Sequence, residues 1–144
     1  MNYMTKNARL IMLALATIFV STGVYAEPMG IGNNRTAEKA RQAVEDAAPD
    51  DWYTYAQSAE KSIRKKVNLK EVKGWLERSL EINENAYNLA VMGDYYDANN
   101  LPEKAYEYYV KSLRAGFEED INHNDPETHE KMMKVRSIYI KASR

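Results

Sequence analysis

Both histidines of the chain, His123 and His129, sit among the carboxylates Glu118, Glu119, Asp120, Asp125, Glu127 and Glu130, with no Lys or Arg interleaved from 118 to 130. Imidazole and carboxylate together suit zinc or another divalent cation. The two imidazoles are six residues apart with a turn between them, which matches no helical ligand pair. His129 is also out of step with the apolar positions that follow it, so it is expected to face solvent. The plainer reading is a solvated loop whose acids favour the start of a helix. No metal and no other cofactor is expected. Asp94 and Asp97, three apart, resemble a paired-carboxylate site. The chain has no cysteine, no glycine-rich phosphate loop and no nucleophile-elbow pattern, so a non-enzymatic protein is expected. A basic stretch, Lys61, Arg64, Lys65, Lys66, Lys70 and Lys73, is opposed only by Glu60 and Glu71. It could meet an acidic partner or anionic lipid headgroups; the plainer reading is the solvated edge of a helix pair.

These residues must be positioned by 144 residues with a formal net charge of −1, a length that points to one domain. Twenty basic against 21 acidic residues argue against a nucleic-acid binder, which carries a clear basic excess. Six Gly and four Pro leave little room for a turn-rich β protein. A mean hydropathy of −0.65 excludes a polytopic membrane protein. Residues 1–26 have the layout of a cleaved secretory signal peptide. Lys6 and Arg9 form its positive end, Leu10 to Val20 its apolar run, and Val24 and Ala26 the small residues before a cut at Glu27. Cleavage leaves 18 basic and 21 acidic residues, a net of −3, and no stable membrane insertion. The expected location is periplasmic or secreted.

Residues 27–35 hold Pro, two Gly and two Asn and read as a flexible lead-in. Six helices are then expected in an all-α fold, since no stretch alternates with period two. Thr36 caps the first, which runs to Ala48. Asp50 or Asp51 caps the second, with Trp52, Tyr55, Ala56, Ala59, Ile63 and Val67 inward. Asn68 with Glu71 suggests a capping box for the third, with Leu69, Val72, Leu76, Ser79 and Leu80 on one face. The fourth follows the Asn83-Glu84-Asn85 turn and ends at Asn99-Asn100. Pro102 opens the fifth, and Gly116 suits its C′ position. Asp125-Pro126 opens the sixth, with Met132, Val135, Tyr139 and Ala142 inward and Met133 and Ile138 alongside.

Ala86 to Glu119 spans 34 residues with a regular set of small and large places. Leu89, Met92-Gly93 and Tyr96 fall in its first helix, and Ala105, Tyr109, Ser112 and Leu113 in its second. This segment resembles a tetratricopeptide repeat, and its ending, Lys111 to Gly116, is similar to the related Sel1-like repeats. A degenerate copy covers 51–85: Val72 to Leu80 precedes Ala105 to Leu113 by 33 residues, and Ala59 stands for the glycine. The sixth helix, 125–142, would then cap a single helical-repeat domain over 36–144. The alternative is a six-helix bundle without repeats.

The resemblance implies a short solenoid of antiparallel helices. Gly93 and Ala105 would be small where paired helices touch, and Tyr96 and Tyr109 large where successive pairs meet. It implies a concave face lined by Tyr87, Ala90, Val91, Asp94, Asp97 and Ala98. Such a groove, with an aromatic, small apolar residues and two acids, would suit a segment bearing basic and apolar residues. The expected function is an exported adaptor that binds a protein or peptide. With fewer than three repeats, a homodimer could complete the solenoid. A small periplasmic metal- or ligand-binding protein using His123 to Glu130 is the competing function.

Overall fold

The computed structural model describes residues 31–142, which form six helices and no strand. The expected signal peptide, residues 1–26, and the first part of the expected lead-in lie outside the described residues. In chain order the helices are α1 (Ile31–Glu45), α2 (Trp52–Lys65), α3 (Leu69–Ile82), α4 (Ala86–Ala98), α5 (Pro102–Glu119) and α6 (Pro126–Ala142). No helix among these residues is long and apolar enough to cross a membrane.

The all-α reading holds, with differences at some ends. The first helix starts at Ile31 and stops at Glu45, so residues 31–35 are helical rather than lead-in. Asp51 caps α2, its Oδ1 accepting from the Thr54 amide at 3.0 Å. Asn68 is no capping box: its backbone is left-handed and its side chain makes no cap bond. Its Nδ2 instead donates to Glu71, while Oδ1 accepts from Arg41 of α1. The capping box belongs to Asn85 and Asn88, each side-chain oxygen accepting the other's amide at 3.2 and 2.9 Å. Asn100 takes the left-handed conformation expected of that turn, and Pro102 is the first residue of α5. Gly116 does not end α5; it lies inside a helix that continues to Glu119.

Three-residue turns join α2 to α3, α3 to α4 and α4 to α5, so consecutive helices run antiparallel. Each helix packs on its neighbours in sequence, and α2 also packs on α4. The core is continuous through these pairs. Ala59, Val72 and Leu76 come from the first, Val91, Met92, Tyr96, Ala105 and Tyr109 from the second, and Val135 from α6. Leu89 and Ser112 are buried with them and Leu113 is half-buried.

Two hydrogen bonds tie the pairs in the same way. Ser79 of α3 donates to the carbonyl of Trp52, the first residue of α2, at 2.8 Å. Ser112 of α5 donates to the carbonyl of Ala86, the first residue of α4, at 2.7 Å. Each serine closes its helix pair at the same corner.

Gly93 is small where α4 faces α5, but its nearest facing side chain is Tyr109, not Ala105. A Cβ on Gly93 would lie 2.5 Å from two ring carbons of Tyr109. The Tyr109 ring thus fills the space inside the α4–α5 pair, correcting the expectation that it spans successive pairs.

Candidate functional site

A cleft of about 490 Å³ opens where α2, α4 and α6 meet. Trp52 and Glu60 reach it from α2, and Tyr87, Ala90, Val91 and Asp94 from α4. Glu119, His123, Asp125, Glu127 and Lys131 complete the wall from the end of α5, the loop and α6. Four of the six residues expected on the concave face therefore line it. Asp97 and Ala98 do not. Asp97 is held by Lys134 of α6 at 3.4 Å, and Ala98 is exposed one turn beyond the cleft's edge.

Asp94 is the centre of a polar chain that joins three helices. Tyr109 of α5 donates to its Oδ1 at 2.7 Å, and Lys131 of α6 donates to its Oδ2 at 3.0 Å. Lys131 also pairs with Glu127 at 2.9 Å. Burial raises the pKa of Asp94, outweighing the Tyr109 and Lys131 hydrogen bonds that favour its charge. Burial also works against the Lys131 charge, but Glu127 and Asp94 together prevail and raise its pKa. Burial, with the Asp94 charge beside it, lifts the Tyr109 phenol far above its ordinary value, so it stays a donor. Asp94 is thus a structural linchpin whose flank faces the cleft, rather than a free groove carboxylate.

Tyr87 is likewise committed within the molecule. Its hydroxyl donates to Glu60 of α2 at 2.8 Å, and its ring packs against Trp52 and Tyr53 with centroids 6.5 and 5.6 Å away. Burial and the Glu60 bond raise its pKa. Val91 is only 3 % exposed and belongs to the core. Its expected place on a free groove face is corrected: α4 is wrapped on both sides, so its stripe of buried positions is wider than in an edge helix.

The acidic segment forms the far wall of this same cleft. Asp125 caps α6, its Oδ1 accepting from the Thr128 amide at 2.9 Å. Burial works against its charge, but the Thr128 bonds prevail and lower its pKa. The His123 ring lies edge-on to Phe117, with centroids 6.1 Å apart. It also covers Gly116, where any side chain would collide with it. Its Nε2 is buried and makes no hydrogen bond among the described residues. His129 is exposed and does not reach the cleft. Among the described residues no group of three or more His, Cys, Asp or Glu is placed to hold a metal ion.

Two contributors were not singled out from the sequence. Lys131 lay inside the apolar pattern of α6, and only the fold brings it to Asp94, 37 residues away. Asn88 is fully buried, donating to Ser79 Oγ at 3.1 Å and to the Asn83 carbonyl at 2.7 Å. The three-residue spacing of Asn85 and Asn88 was the signal that could have revealed it. Compared with known protein families, curated proteins and solved structures, the chain matches none of them.

Proposed function

We propose that this protein is a non-enzymatic, exported helical-repeat adaptor of tetratricopeptide or Sel1-like type, which binds a protein or peptide in the α2–α4–α6 cleft. The repeat reading is supported by the paired serine bonds of Ser79 and Ser112 and by the covered glycine at Gly93. Burial repeats as well: Ser58, Ala59 and Ser62 of α2 are buried like Met92, Gly93 and Tyr96, 34 positions later.

The observation that carries the function is the composition of the cleft. An aromatic wall of Trp52 and Tyr87 and the small Ala90 stand beside five carboxylates, with Lys131 the only Lys or Arg among the described residues of the lining. Glu119 makes no ion pair among the described residues, so its charge is not offset. A peptide with a Lys or Arg next to an apolar side chain complements both halves: apolar burial supplies affinity, and charge sets which partner is accepted. The His123 to Glu130 segment then serves as one wall of a peptide cleft rather than as a metal centre.

Selection of a random peptide library on the purified protein is expected to enrich Lys or Arg adjacent to Leu, Ile or Phe. Ala90→Arg combined with Glu119→Lys should abolish capture with little change in melting temperature, because neither residue is fully buried. Lys66→Glu with Lys70→Glu on the basic turn is the control. If the control loses the peptides and the cleft variant keeps them, binding belongs to the basic edge. Export rests on residues 1–26 alone; N-terminal sequencing of the native protein should begin at Glu27.

A further inference from the structure

A second groove, of about 230 Å³, runs between α1 and α2. Lys39 of α1 and Lys61, Arg64 and Lys65 of α2 line it, and among the described residues no carboxylate does. Helical period explains the placement, since residues 61, 64 and 65 share a face. Neutralisation within the molecule is slight. Lys39 and Lys65 have no ion-pair partner among the described residues. Arg64 reaches Glu60 only at 3.9 Å, and Lys61 donates to the uncharged Gln57. Ser58 lies one turn before Lys61 and also lines the groove. The residue is only 4 % exposed; its hydroxyl makes no hydrogen bond among the described residues, yet it keeps access to solvent at the groove, since the one fully buried side-chain polar atom without a partner among them is His123 Nε2.

The helix dipole accounts for cations in the last turn of α2. It does not account for Lys39 on another helix, nor for a serine hydroxyl that is left free to donate into the groove. Both are explained by a multiply charged oxyanion: its oxygens accept a hydrogen bond from the Ser58 hydroxyl and offset the surrounding cations. We propose that the α1–α2 groove binds a phosphate-type oxyanion, either as the free ion or as the phosphate of an anionic phospholipid headgroup.

The test is a titration of the purified protein with inorganic phosphate at constant ionic strength, chloride being exchanged for phosphate, followed by amide chemical shifts. A parallel arm measures flotation on phosphatidylcholine vesicles with and without phosphatidylglycerol. Saturable shifts confined to α1 and α2 are expected. Lys61→Gln with Lys65→Gln should weaken binding about tenfold or more, as loss of charge-assisted hydrogen bonds does. Ser58→Ala should weaken it with no change in net charge, a readout that diffuse attraction would not move. Phosphate saturation without vesicle binding identifies the free ion. Vesicle binding that needs phosphatidylglycerol and is competed by phosphate identifies the headgroup. Shifts that never saturate, or binding by either probe that persists unchanged in the Ser58→Ala and double-glutamine variants, overturns the site.

Discussion

At Gly93 a single carbon decides whether two helices fit. Alanine would favour an exposed helix interior by about 1 kcal/mol, but here its Cβ would press into the ring of Tyr109. That ring cannot yield: it is fully buried and its hydroxyl is bonded to Asp94. Gly93→Ala should therefore destabilise by about 1–3 kcal/mol, the usual cost of overpacking. Much of the loss should be recovered when Tyr109→Leu is added, because the smaller side chain leaves room; denaturant melts of the cycle measure this. Asp94 carries a pH signature. Its pKa is raised by burial, so the folded chain holds that proton more tightly than the unfolded one. Its contribution favours folding below 3.8 and is lost as pH rises through its higher folded value. Asp125 has the opposite sign, stabilising above 3.8 and losing that as pH falls through its lowered folded value. Carboxyl carbon NMR should find Asp94 titrating above 3.8, and Lys131→Met should push it higher, since a cation that opposes burial is gone. A midpoint that fell would mean Lys131 is not its partner.

Helix pairs here are joined by corner bonds as well as by apolar faces. Ser79 and Ser112 each donate to the first carbonyl of the preceding helix. Each alanine substitution should cost about 1 kcal/mol, the usual net value of such a bond. The Ser79 variant should lose more, because Ser79 Oγ also accepts from the buried Asn88, whose donor would lose a partner. Equal melting shifts would show that the Asn88 bond contributes nothing. Gly116 governs another junction. Because His123 rests on it, Gly116→Ala must lift that ring and loosen the α5–α6 loop. Hydrogen exchange should quicken at the His123 amide, which now donates to the Asp120 carbonyl at 2.8 Å, while the middle of α3 stays protected.

Across the whole molecule, Tyr87 links the two helix pairs on the side where the cleft opens. It bonds to Glu60 and packs on Trp52 and Tyr53 of α2. A free binding anchor could be truncated without harm to the fold; Tyr87 cannot. Tyr87→Ala is expected to lower stability by about 2 kcal/mol or more through lost aromatic burial, whereas Tyr87→Phe should lose only the hydrogen bond, about 1 kcal/mol. Chemical denaturation of the two variants separates packing from bonding. Nearly unchanged stability in Tyr87→Ala would return the residue to the free surface.

The linear sequence determined the helices because caps and period act locally. Asp51, Pro102 and Asp125-Pro126 start α2, α5 and α6 where their chemistry requires, and the spacing of Leu89, Gly93 and Tyr96 marks the buried stripe of α4. Four positions of the cleft lining, Tyr87, Ala90, Val91 and Asp94, were legible for the same reason, since they lie around the helix from that stripe, one or two residues off it. What lies opposite each stripe is a property of packing, and tertiary structure alone decided it. The choice of Tyr109 to face Gly93, the reach of Lys131 to Asp94 and the meeting of the acidic loop with α4 join residues far apart in the chain. No local rule carries that information. Asn68 and Gly116 show the same limit in reverse. Each has the residue type of a helix end, yet Arg41 of another helix and His123 of the following loop supply the contacts that decide its role.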